Sequence, residues 1–84
     1  MKVHELKVWP EYFDAILDGS KKFEIRKNDR GFEVGDRLLL QEYCPHDKEY
    51  TGAHVFAEVT YMTDFMQAQF YIVMGIKILG KKRG

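Results

Sequence analysis

The chain has 84 residues, enough for one compact domain with a modest core. Thirteen lysines and arginines balance thirteen aspartates and glutamates, so no global field draws the protein to nucleic acid or membrane, and any anion site must come from local clustering of charge. The lone Cys44 allows no internal disulfide, no apolar run approaches a membrane span, and Met1-Lys2-Val3-His4-Glu5 lacks the apolar core of a secretion signal, so a soluble, cytoplasmic protein without membrane contact is expected.

Residues 4–8 alternate, with Leu6 and Val8 on one face and Glu5 and Lys7 on the other, which predicts a first strand. Trp9 leads into Pro10, a residue suited to the first helical position. Glu11 and Asp14 suit the positive end of a helix. Phe13, Ile16 and Leu17 form an apolar stripe at helical spacing. Gly19 is the left-handed cap that ends it, so residues 10–18 are predicted helical. Trp9 reads as a cover over that stripe, with base stacking as its functional alternative.

Residues 22–27 form the second predicted strand. Side chains alternate along a strand, so Phe23 and Ile25 are expected to face the core and Glu24 and Arg26 the other side. Lys21, at the strand mouth, leans over the Glu24/Arg26 face. A plain reading is a solvated charged face, since surface ion pairs contribute only about 0–1 kcal/mol. A functional reading is a polar site: Arg26 as a fork for phosphate or carboxylate, Lys21 as a point charge, Glu24 as acceptor or base. Asn28-Asp29-Arg30-Gly31 is a turn by composition, and Asn28 and Arg30 are candidates to extend that site.

Residues 37–43 read as the third strand, whose Leu38-Leu39-Leu40 suggests burial on both faces. Residues 44–52 read as a long hairpin loop. Residues 54–62 alternate, with Val55, Ala57, Val59 and Tyr61 together on one face. Residues 63–70 are a short helical turn or an apolar loop, with Phe65, Met66 and Phe70 expected to close the end of a barrel. Residues 71–79 are β-branched and form the fifth strand, in which Gly75 marks a bulge or a close approach. The basic residues 80–84 are expected to be a disordered tail. One helix cannot supply several parallel crossovers. The expected fold is therefore mostly β with one main helix (α+β): a small antiparallel barrel of about five strands, in a single domain over residues 1–79.

The order of elements and the set Gly19, Lys21, Glu24 and Arg26 resemble the ASCH superfamily of PUA-like barrels, whose hallmark is Gly-x-Lys-x-x-Glu-x-Arg after the first helix. More narrowly, the chain resembles the domain-of-unknown-function family 3850, small bacterial and phage proteins. That resemblance rests on His4-Glu5-Leu6-Lys7, Phe23 to Arg30, Val34-Gly35-Asp36, Tyr50-Thr51-Gly52 and Val73 to Lys77. It implies a PUA-like barrel with a motif-lined cleft that binds RNA or nucleotides, lined by Lys21, Glu24 and Arg26. A similar small bacterial branch is an amidohydrolase that deacetylates N4-acetylcytidine. There a lysine matching Lys21 serves catalysis, a catalytic threonine falls on Glu24, and a further glutamate has only Asp64 as a loose match.

Two functional classes follow. The first is a binding module for RNA or a nucleotide, with Lys7, Lys21, Arg26 and Arg30 toward phosphate, Glu24 and Asn28 beside them, and Trp9 or Tyr43 stacking a base. The second is a metal-free amidohydrolase using Lys21 and Glu24. No cofactor is expected. Cys44, His46, Asp47 and His54 lack the paired spacing of a structural zinc site, so no metal is expected either. Exposed apolar clusters and edge strands leave a homodimer open.

Overall fold

A computed structural model describes residues 1–83. The elements are β1 (Val3–Val8), α1 (Pro10–Leu17), β2 (Phe23–Lys27), β3 (Arg37–Cys44), β4 (Glu49–Thr63) and β5 (Tyr71–Lys82). One helix and five strands match the fold class read from the sequence. The strands form one sheet in the order β1-β3-β4-β5-β2, curled into a half-barrel.

The sheet is mixed, not antiparallel throughout. β3–β4, β4–β5 and β5–β2 are antiparallel, whereas β1 and β3 run parallel. A parallel pair needs a crossover of a dozen or more residues. Here the chain between β1 and β3 supplies it with α1 and β2 together, so a single helix suffices. β1 and β2 end up as the two edges, and among the described residues no ladder joins them. The barrel therefore has a seam between β1 and β2.

The concave side is the core. Leu6 and Val8 of β1, Leu38 and Leu40 of β3, Val55, Ala57 and Val59 of β4, and Ile72, Met74 and Ile76 of β5 pack there. Phe13 and Ile16 of α1 complete it, as their stripe predicts. Leu39 is half-buried, so β3 is not dry on both faces. Gly19 follows the helix with φ +84, a conformation open to glycine at little cost. At the other side of the core, His4 Nε2–H donates to Asp36 Oδ2 at 2.9 Å, and the Lys2 and Glu33 amides donate to the same carboxylate at 3.0 and 3.1 Å.

Several placements differ from the sequence reading. The β3–β4 connection is shorter than a loop over 44–52: Cys44 pairs with Glu49 and Tyr43 with Tyr50, leaving a turn with Lys48 at positive φ. Residues 80–82 are not a free tail. They extend β5, where Gly80, Lys81 and Lys82 pair with Phe56, Val55 and His54, because the long β4 gives them a partner. Residue 84 of the expected tail lies outside the described residues. Tyr61 leaves the core face because the β4–β5 register shifts between Val59 and Tyr61. Phe65, Met66 and Phe70 do not close the barrel and are exposed. Trp9 is half-exposed at the helix N-terminus and is not part of the buried core that holds Phe13 and Ile16.

Candidate functional site

β2 carries the largest correction. Its burial runs exposed, buried, exposed, half-buried, exposed from Phe23 to Lys27. Phe23 is 40% exposed and Glu24 only 4%, the reverse of the expected orientation. The register is firm: Glu24 pairs with Met74 and Arg26 with Ile72, both core residues of β5. β2 is the last strand before the seam, so its inward side chains look into a cleft and not into packed hydrocarbon. Polar residues there satisfy one another.

Glu24 is the hub of that cluster. Its Oε1 accepts from Lys21 Nζ at 2.8 Å and its Oε2 from Arg26 Nε at 2.6 Å. A buried carboxylate is tolerated when both oxygens are paired in this way. Among the described residues no buried side-chain polar atom lacks a partner. Lys21 is placed by the helix stop, where its amide donates to Ala15 O at 3.0 Å. Its Nζ also donates to Phe23 O at 3.0 Å. Its ammonium lies 5.2 Å from the Phe23 ring centroid and 5.9 Å from that of Tyr12.

Two arginines cross the seam. Arg26 Nη2 donates to Lys7 O, and Arg30 Nη1 donates to Glu5 O at 2.7 Å. Edge-strand carbonyls that no partner strand serves are thereby covered. The guanidiniums close the half-barrel with side chains in place of a ladder.

Around these groups lies a cleft of about 890 Å³, in the size range of ligand sites. Lys7, Lys21, Arg26, Lys27 and Arg30 line it against Glu24 and Asp29. Lys7 takes part through its backbone, so four cationic side chains face two anionic ones, in a chain whose formal net charge is zero. Trp9, Tyr12, Phe23 and Tyr71 also line it, and all four are substantially exposed.

Five of the six site residues read from the sequence therefore meet here: Lys7, Lys21, Glu24, Arg26 and Arg30. Lys7 contributes its carbonyl to the seam, while its ammonium sits 4.3 Å from the Tyr43 ring centroid. Asn28 is outside the cleft. Its Oδ1 accepts the Phe32 amide at 3.0 Å, so it shapes the turn. Asp64 is not a lining residue, and Tyr43 packs against Tyr50 and not over the cleft. Tyr12 and Tyr71 were not legible as site residues. A signal did exist for Tyr12: it lies off the Phe13/Ile16 stripe, three residues after Trp9, where the next helical face looks outward. Among the described residues no three His, Cys, Asp or Glu side chains gather as a metal site would need. No helix among them is long and apolar enough to cross a membrane.

The family model described as a domain of unknown function, DUF3850, matches residues 3–76, which take in both sides of the seam. The chain belongs to the DUF3850 family. A protein of Escherichia phage P2, described as an uncharacterized 12.9 kDa protein in the GpA 3' region, is 40% identical over 80 residues. That alignment covers 95% of this chain and 72% of the phage protein. The DUF3850 match includes every residue that the cleft geometry singles out, from Lys7 to Tyr71.

Proposed function

We propose that this DUF3850 protein is a binding module for a nucleotide or a short single strand of RNA, held in the seam cleft. The observation that carries the reading is the local charge excess: the cationic side chains of Lys21, Arg26, Lys27 and Arg30 against Glu24 and Asp29, beside exposed aromatics, on an otherwise neutral chain. Glu24 neutralises one of its two cations, so the Lys21–Glu24–Arg26 group retains one positive charge. Arg26 uses Nε and Nη2 internally, which leaves Nη1 for an anion. Trp9 and Tyr12 offer flat faces to a base, and such stacking contributes about 1–3 kcal/mol per base. The ASCH-like motif Gly19, Lys21, Glu24 and Arg26 agrees with this reading. The test is amide chemical-shift mapping of the labelled protein with a mononucleotide and with a short oligoribonucleotide. Shifts are expected at Trp9, Tyr12, Lys21, Glu24 and Arg26. Shifts confined to the basic residues 80–83 would contradict the reading.

One contact favours a second reading, an amidohydrolase acting on an N4-acylated cytidine or a similar modified nucleoside. Lys21 Nζ and Glu24 Oε1 meet at 2.8 Å inside a nucleoside-sized cleft, which is the arrangement a proton-transferring pair needs. Its test is product formation from N4-acetylcytidine by mass spectrometry, with turnover expected to vanish in Lys21→Ala. No product from the folded wild type leaves binding as the function.

A further inference from the structure

We propose that the outer face of β2, β5 and β4 is a homodimer interface whose occupant is a second copy of this chain. The register lays Phe23, Gly75 and Tyr61 in one row across the three strands, and Ile25, Val73 and Thr63 in the next. Ile72, Met74 and Ile76 point into the core, so Val73 and Gly75 point outward with these rows. The loop that joins β4 to β5 exposes Phe65, Met66 and Phe70. Asn28 donates its amide to Phe70 O at 2.7 Å, which holds that end of the loop beside the end of β2.

The area is too large for an incidental patch. Phe23, Tyr61, Phe65, Phe70 and Tyr71 are between 40% and 76% exposed. At the ~150–250 Å² that an aromatic side chain offers, those fractions leave roughly 600 Å² of aromatic surface in water. Ile25 and Met66 enlarge it. The largest apolar patch of a typical monomer is about 300–600 Å², whereas one side of a standard interface is about 800 Å². The sum matches a dimer partner.

Three features favour a second copy as that partner. The patch is apolar over the sheet, with Lys27, Lys77 and Glu58 at its borders and Asp64 in the loop, a mixed set that suits neither phosphate nor an acidic chain. The formal net charge is zero, so two copies approach without long-range repulsion. The patch also carries both a projection and a dent. A side chain at Gly75 would meet Thr60 Oγ1 at 3.4 Å and Tyr61 Cβ at 3.6 Å, so Gly75 leaves a notch walled by the base of Tyr61. A two-fold axis through the patch would lay each copy's Tyr61 ring flat over the other's Gly75, the self-complementarity that a symmetric dimer requires. Met66 and Phe70 hold positive φ of 61 and 69, a strained region for bulky residues that persists mainly where contact or function holds it.

The test is sedimentation equilibrium of the full chain at micromolar concentrations, wild type against Tyr61→Asp/Phe70→Asp. The wild type is expected near twice 9.9 kDa, and the double variant near the monomer mass with unchanged circular dichroism. Neither substituted residue lines the cleft, so the double variant leaves the cleft side chains in place, although Phe23, Ile25 and Tyr71 belong to both surfaces. Should the double variant fail to fold, Phe70→Asp alone serves, since aspartate tolerates the left-handed φ. A monomeric wild type overturns the proposal, and so does a folded variant that remains dimeric.

Discussion

Glu24 holds two cations with one carboxylate in a place where water is scarce, and its neighbour Phe23 stands in the solvent. Opposite consequences follow for two adjacent truncations. Glu24→Ala strands Lys21 and Arg26 without a counter-charge. Breaking a fully buried pair costs about 3–5 kcal/mol. Both partners here keep some water access, so about 2–3 kcal/mol is expected in urea unfolding. At dilutions where the chain is monomeric, Phe23→Ala is expected to cost under about 1 kcal/mol, not the ~3–5 kcal/mol of a buried phenylalanine. Alternation along residues 22–27 was legible, and so was the convergence of Lys21, Glu24 and Arg26. Which face turned inward was not, because an apolar face marks the core only where the concave side is packed, and at the seam it is open. Asp36 gives a second residue-scale prediction. Its hydrogen bond from His4, then those from the Lys2 and Glu33 amides, outweigh burial and lower its pKa from 3.8 to about 2. The folded value lies below the unfolded one, so the stabilisation is whole above about 3.8 and is lost as the pH falls through about 2. Asp36→Asn is expected to flatten acid unfolding across that window, measured by circular dichroism.

At the scale of elements, the seam decides what each edge strand does. β1 is bound on one side by β3 and on the other by Arg26 and Arg30 through two of its carbonyls. Arg30→Ala removes one of those stitches without touching Glu24. A hydrogen bond from a charged donor in an exposed setting is worth about 1 kcal/mol. Amides of His4, Leu6 and Val8 are therefore expected to exchange with deuterium roughly five-fold faster, while those of β4 are unchanged. Equal acceleration throughout the sheet would show that the stitch acts on global unfolding and not on β1. The helix, its glycine stop and the strands' existence could be read from local periodicity and capping. The parallel pairing of β1 with β3 could not, since it depends on β2 lying inside the crossover. Nor could the extension of β5 through Lys82, because a Gly-Lys-Lys sequence pairs only when a neighbour as long as β4 is present.

For the molecule as a whole, charge balance hides a division of the surface. Cations collect around the seam, apolar rings collect on the outer face of β2, β5 and β4, and Phe23 stands where the two regions meet. Composition alone gave neutrality and so pointed away from nucleic acid, while the fold concentrates positive charge in one cleft. That concentration is the central claim, and the chain contains its own reporter: the single tryptophan, Trp9, is half-exposed in the cleft wall. The most direct measurement is Trp9 fluorescence during titration with a mononucleotide and with a short oligoribonucleotide, at low and high salt, in wild type and Lys21→Ala. Saturable quenching that weakens with salt and is lost in Lys21→Ala is the result this account requires. An unchanged Trp9 signal in a folded protein, with either ligand at low salt, would contradict it.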